Sequence, residues 1–85
     1  MLRKFFSIAE ISTQSTPLYL HRNAGNQLIV FMSNDTSYTF GFGLKDAAVW
    51  TSESQAESFL MANEIALASF EGAVYIVQPV YKVTE

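Results

Sequence analysis

The sequence contains no cysteine, and this absence excludes disulfide bonds and thiolate-bound zinc or iron–sulfur centres. A chain that folds without disulfides is typical of the cytoplasm, which is the location we predict. No apolar run approaches the ~18–20 residues of a membrane-spanning helix. Glu10 also interrupts the short apolar run near the amino terminus before it reaches the length of a signal peptide. The sequence therefore predicts a cytoplasmic protein with no membrane partner.

Charged residues are scarce, at 15% of the chain, and the net charge is −3. A nucleic-acid-binding protein normally carries a basic surface that neutralises phosphates. Here the five basic residues are scattered along the chain, so we predict no nucleic-acid partner. A surface with few charges and many apolar side chains also suggests that a second protein chain covers part of it.

Residues that commonly carry chemistry are scarce as well. His21 is the single histidine, and no Gly-x-Ser-x-Gly elbow accompanies it. One histidine and dispersed carboxylates provide no metal-ligand spacing. The stretch Gly41-Phe42-Gly43 lacks the further glycines and the lysine of a phosphate-binding loop. We therefore predict that the protein is not an enzyme, with no catalytic, metal-binding or cofactor-binding residue and no cofactor.

Hydrophobic side chains are abundant, at 49% of the 85 residues, which is enough to build the core of one small domain. We predict a single α+β domain over residues 1–85, with an antiparallel sheet of about four to five strands and a single α-helix packed on one face. The predicted strands are residues 2–11, where a strand is favoured over a helix, Leu18–Arg22, Gln27–Ser33, Tyr38–Phe42 and the final carboxy-terminal strand Val74–Val83.

The connections between these strands carry two further predictions. The three middle strands are joined by short turns and are expected to form an antiparallel meander. Pro79 lacks a backbone donor, so the final strand must be bulged, broken or placed at the edge of the sheet.

The helix has a clear start signal. Ser52 is a suitable N-cap, and Gln55 is spaced to reach back to it in a capping box, so the helix begins at Glu53. Its end is open, because it falls either near Ala62 or near Phe70, with Gly72 as a stop. The helical projection places one apolar arc towards the core: Ala56, Phe59, Leu60, Asn63, Ala66, Leu67 and Phe70. The predicted core comprises Phe6, Leu20, Ile29, Phe31, Phe40, Trp50, Phe59, Leu60, Phe70, Tyr75 and Val77.

A second side of the same helix is acidic. Four glutamates, at positions 53, 57, 64 and 71, fall within about 40° of one another on the projection, and Met61 and Ile65 are i, i+4 neighbours that point away from the core arc. A solvated acidic face is one interpretation. The functional hypothesis is a partner-binding face made of Glu53, Glu57, Met61, Glu64 and Ile65. A helix that ends near Ala62 would remove the basis for this face.

The segment Lys45–Phe59 contains an aromatic residue followed by Thr-Ser, a short acidic stretch, Ala-Glu and a second aromatic residue. In this form it resembles a segment of small uncharacterised phage and prophage proteins. The resemblance implies a sheet-plus-helix fold and implies no activity.

Three functions are compatible with these observations. The first is a non-catalytic protein-interaction module, encoded by a phage, that binds or inhibits a host protein. The second is a structural or self-assembling component, such as a homodimer, that pairs through an exposed sheet edge. The third is a small-ligand binder whose site forms at a subunit interface.

Overall fold

The computed structural model describes residues 1–12, 15–22, 29–33, 36–41, 43–45, 47–68 and 72–84. Its elements are β1 (Leu2–Glu10), β2 (Leu18–Arg22), β3 (Ile29–Ser33), β4 (Thr36–Gly41), α1 (Glu53–Ala62), α2 (Glu64–Ala68) and β5 (Tyr75–Val83). The predicted α+β class is confirmed, and the strand favoured over residues 2–11 is present from Leu2 to Glu10. Phe42, Gln27 and Leu28, which ended or began predicted strands, lie outside the described residues.

The five strands form one sheet in the order β3-β4-β2-β1-β5, and every neighbouring pair is antiparallel. The predicted meander is wrong, because β2 pairs with β4 instead of β3. Only two residues separate β3 from β4, which suits a hairpin. Six residues separate β2 from β3, and a connection of that length does not force its two strands to be neighbours.

The centre of the sheet is opened by an inserted segment. β1 and β2 pair at only two positions, beside their connecting loop, and then diverge. Residues 47–50 lie in the gap: Ala48 donates its N–H to the carbonyl of Leu20 at 2.7 Å, and Trp50 and Phe6 exchange two backbone hydrogen bonds of 2.8 Å. The segment thus satisfies the backbone groups that the two diverging strands expose towards each other.

The core lies between the helices and one face of the sheet. Its fully buried side chains include Ile8, Leu18, Leu20 and Phe40, and Tyr38 and Leu67 join them. Side chains from distant strands meet in this core: the rings of Phe40 on β4 and Tyr75 on β5 have centroids 5.1 Å apart although two strands separate them.

The predicted core is confirmed in part. Leu20 and Phe40 are fully buried. A second group is half-buried against the core cluster: Trp50, Phe59, Leu60, Tyr75 and Val77. Phe6 is half-buried and lies outside that cluster. The side chains of Ile29 and Phe31, and the whole of Phe70, lie outside the described part of the chain.

The helical region begins as predicted and is divided in the middle. Ser52 Oγ accepts the N–H of Gln55 at 3.3 Å, while the Gln55 side chain accepts the Thr51 hydroxyl at 3.1 Å and so does not complete the capping box. α1 ends at Ala62, and α2 resumes after Asn63. Asn63 is buried and donates its side-chain amide to the carbonyl of Phe59 at 2.8 Å. The single predicted helix is therefore two helices, and the break at Asn63 explains why the sequence supported two different endpoints.

Candidate functional site

His21 is buried in the fold and contacts a loop carbonyl. Its side chain is buried, and Nε2 lies 3.0 Å from the carbonyl oxygen of Gly43. Gly43 has a φ of +94°, a conformation that glycine adopts without strain. The contact fastens the loop after β4 to the sheet.

Within the described residues, no group of three or more histidine, aspartate or glutamate side chains could hold a metal ion. None of the helices in that same portion has the length and apolarity to cross a membrane.

The five residues of the hypothesised contact surface, here called the helical face, are all exposed: Glu53, Glu57, Met61, Glu64 and Ile65. The first three succeed one another at four-residue intervals along α1 and therefore share one side of it. The other two lie in the first turn of α2. α1 does end at Ala62, the outcome expected to remove this face, but α2 resumes at Glu64. Met61 is 73% exposed and Ile65 is 91% exposed, so both apolar side chains still stand in solvent.

The helical face carries only negative charge. No lysine, arginine or histidine occurs between Lys45 and Lys82, a stretch that contains both helices. Accordingly, neither helix has a basic residue in its last turn. The three glutamates of the face thus have no cation from their own helices to neutralise them, and they produce a negative potential on this side of the molecule.

A groove of about 630 Å³ adjoins the helical face. Its volume lies in the ~300–1,000 Å³ range typical of binding pockets. The lining is mostly apolar and includes Leu60, Met61, Glu64, Leu67, Ala68, Gly72, Ala73 and Tyr75. Met61 and Glu64 thus belong to both the helical face and the groove, while Glu53, Glu57 and Ile65 do not line it. Sequence reasoning missed the groove, because its walls come from the helices and from the segment that enters β5.

A buried carboxylate holds one wall of this groove in place. Glu10, at the end of β1, is fully buried. Its Oε2 accepts the N–H of Ser12 at 2.8 Å, the hydroxyl of Ser12 at 2.5 Å and the N–H of Val74 at 3.0 Å. Ser12 Oγ also lies 2.8 Å from the carbonyl oxygen of Gly72. Glu10 and Ser12 therefore fasten residues 72–74 to the end of β1. The sequence did not predict this anchoring role of Glu10, which stood out only because it interrupts an apolar run.

Tyr75 forms the floor of the groove beside this cluster. Its hydroxyl donates to the carbonyl of Leu67 at 3.4 Å, which links β5 to α2. Burial, reinforced by the negative charge of Glu10, raises the pKa of Tyr75 to about 12. The phenol therefore remains neutral at physiological pH and keeps its role as a donor.

The chain was compared with protein-family models, with curated proteins and with solved structures. None of them matches. The fold and the surface of the chain itself are therefore the basis for assigning a function.

Proposed function

We propose that this protein is a non-catalytic interaction module that binds another protein through the helical face and the groove beside it. The observation that supports this proposal is the position of Met61. This large apolar side chain is 73% exposed, stands on the acidic side of α1 and also lines the groove. Solvent-exposed apolar side chains next to an apolar groove are typical of protein-binding surfaces.

The charge of the helical face defines the kind of partner. Three exposed glutamates with no basic neighbour on their helices favour a partner segment that carries lysine or arginine. Met61, Ile65 and the groove favour an apolar side chain beside those basic residues, because buried apolar contacts at the centre of an interface supply most of its affinity. A basic segment with an apolar anchor combines both features.

The resemblance of Lys45–Phe59 to segments of phage and prophage proteins supports a phage-encoded protein whose partner belongs to the host. A small phage protein of this kind acts by occupying a surface of a host protein, which inhibits that protein or redirects it.

The test compares two sets of variants in affinity capture from a host lysate, followed by binding kinetics with the captured protein. Glu57→Lys with Glu64→Lys should slow association and flatten its salt dependence, since exposed charges are screened beyond ~8–10 Å at physiological ionic strength. Met61→Ala with Ile65→Ala should instead speed dissociation by ~10-fold, equivalent to ~1.4 kcal/mol.

Two matched controls lie at the far end of the β1–β5 ladder. Leu2→Lys adds a positive charge there, and Val83→Ala removes an exposed apolar side chain; Leu2 and Val83 are 64% and 81% exposed. Both controls should bind like the wild type. A captured protein whose binding survives the quadruple substitution Glu57→Lys, Met61→Ala, Glu64→Lys and Ile65→Ala would refute the proposed function.

A further inference from the structure

The groove, with the part of the helical face that lines it, lies at one end of the long β1–β5 ladder. This ladder runs from Leu2↔Val83 to Glu10↔Tyr75, and Tyr75 lines the groove. The two ends of a ladder of this length are ~27 Å apart, at ~3.4 Å per residue. A surface at the Leu2↔Val83 end therefore cannot reach the groove of its own molecule.

Four of the five basic residues of the chain gather at the Leu2↔Val83 end. Arg3, Lys4 and Lys82 lie on β1 and β5 beside that pair, and Lys45 is close to them, because its carbonyl accepts the Nζ of Lys82 at 3.2 Å. The group retains a net positive charge when its two acidic neighbours in the sequence, residues 46 and 85, are counted. One end of the molecule is thus basic.

The same end presents an apolar surface. Leu2 pairs with Val83, and Lys4 pairs with Tyr81. Paired residues, and residues two apart on one strand, lie on the same face of a sheet, so these four side chains share one face. Leu2, Tyr81 and Val83 are all exposed. This face therefore combines exposed apolar side chains with a lysine, which is the combination that the helical face favours in a partner. The four basic residues and these three apolar residues are here called the basic end.

The other face of the basic end carries two like charges side by side. Arg3 pairs directly with Lys82, an arrangement that destabilises a sheet. Lys82 donates to the carbonyls of Lys45 and Ala47 at 3.2 and 3.1 Å, and Arg3 lies over the ring of Phe5 at 5.4 Å. Carboxylates from a second molecule would offset the repulsion between these two cations, so the basic end favours an acidic partner surface.

We propose that copies of this protein associate head to tail, with the basic end of one copy bound to the helical face and groove of the next. Leu2, Tyr81 and Val83 cover Met61 and Ile65 at the mouth of the groove. The basic side chains around them meet the exposed glutamates of the helical face. The two surfaces are complementary both in charge and in the presence of exposed apolar side chains.

A contact of this kind joins two different surfaces, so each copy keeps one free surface of each type at the ends of the assembly. Such an assembly continues into a chain or closes into a ring. Each surface offers only a few side chains, and we therefore expect a weak, concentration-dependent association. The inference rests on the helical face being a binding surface, as in the proposed function, and a host protein would compete with the second copy for it.

The test exchanges charges between the two surfaces of the purified protein. Glu57→Lys with Glu64→Lys reverses the helical face, and Arg3→Glu with Lys4→Glu reverses the basic end. In each of these variants like charges meet across the contact, which should weaken self-association at least ~10-fold. A combined variant with all four substitutions has the net charge of the wild type, −3, and again brings opposite charges together, so it should associate. All four residues are exposed, and circular dichroism checks that each variant is folded.

Sedimentation velocity measures the association. The mass of the wild type should rise above that of the monomer with increasing concentration and fall as salt is added, because salt screens the charges. The inference is overturned by a wild type that is monomeric at every concentration, by a single-surface variant that associates as strongly as the wild type, or by a combined variant that stays monomeric. A monomeric wild type that binds phosphatidylglycerol vesicles would assign the basic end to a lipid surface and would also overturn it.

The same variants separate this inference from the proposed function. Arg3→Glu with Lys4→Glu leaves the helical face unchanged, so capture of a host protein should survive in this variant. A wild type that self-associates but captures no host protein through the helical face contradicts the proposed function alone. A monomeric wild type that captures a host protein through that face contradicts the head-to-tail association alone.

Discussion

Replacement of Glu10 tests whether the buried carboxylate holds the segment that enters β5. Glu10→Ala removes the oxygen that accepts two backbone N–H groups, from Ser12 and Val74, and the Ser12 hydroxyl. A hydrogen bond to a charged group contributes ~1.5–3 kcal/mol. The Val74 N–H retains the Ser12 hydroxyl at 3.0 Å, so its loss is partly compensated. The substitution also removes the cost of burying the Glu10 charge, which offsets part of the remaining loss of stability. We therefore expect a decrease of ~2–4 kcal/mol in the free energy of unfolding.

Glu10→Gln separates the acceptor from the charge. The amide oxygen can occupy the position of Oε2 and accept the same donors, so this variant should lose only ~1–2 kcal/mol. Urea denaturation followed by circular dichroism and by the fluorescence of Trp50, the single tryptophan, measures both values. Glu57→Ala, which removes an exposed carboxylate, should change the stability by less than ~0.5 kcal/mol. The reasoning fails if Glu10→Ala matches that control, or if Glu10→Gln is as unstable as Glu10→Ala.

Two further predictions concern the core and the floor of the groove. Phe59→Ala removes a ring that lies 5.1 Å from both the Tyr38 and Trp50 rings, and it should cost ~2–5 kcal/mol in urea denaturation; a change below ~0.5 kcal/mol would mean that the helix packs through another side. The pKa of Tyr75 is about 12 in the folded protein and ~10 in the unfolded chain, so the phenol ionises at a higher pH when the protein is folded. The neutral phenol therefore stabilises the fold fully below pH ~10, and this stabilisation is lost as the pH rises towards 12. Absorbance titration at 295 nm should therefore show a late ionisation near pH 12 that disappears in Tyr75→Phe, and a late step that persists in this variant would assign it to another tyrosine.

The parts of the fold that could be predicted from the sequence have local causes. Ser52 immediately precedes the helix, and its hydroxyl caps the helix by accepting the N–H of Gln55, three residues later. Because this contact is local, the start of the helix at Glu53 could be predicted. The same holds for β2, whose bounds, Leu18–Arg22, match the prediction. Because Pro79 lacks a backbone donor, the sequence limited the final strand to three arrangements: bulged, broken or at the edge of the sheet. β5 does lie at the edge, and its pairing with β1 continues unbroken across the proline.

The parts that were missed depend on contacts between distant residues. The pairing of β2 with β4 and the insertion of residues 47–50 between β1 and β2 leave no periodic signature in the sequence. Ile8 and Leu18 are fully buried, yet neither was placed in the core, because strand alternation does not say which face the helices will cover. The exposure of Met61 and Ile65 followed from helical periodicity, whereas the groove beside them required the three-dimensional course of residues 72–75.

The position of β1 between β2 and β5 has a consequence for how the chain folds. β1 is the first of the five described strands in the chain, but its longest ladder, from Leu2↔Val83 to Glu10↔Tyr75, is with β5, the last of the five. During translation one edge of β1 therefore has no strand partner until all the other described strands and helices have been synthesised. Pairing across such a large sequence separation is slow, and an unpaired apolar strand is prone to aggregation during the delay. Arg3 and Lys4, which lie over the rings of Phe5 and Phe6 at 5.4 and 5.3 Å, place two positive charges on this strand and so discourage its association with other nascent chains.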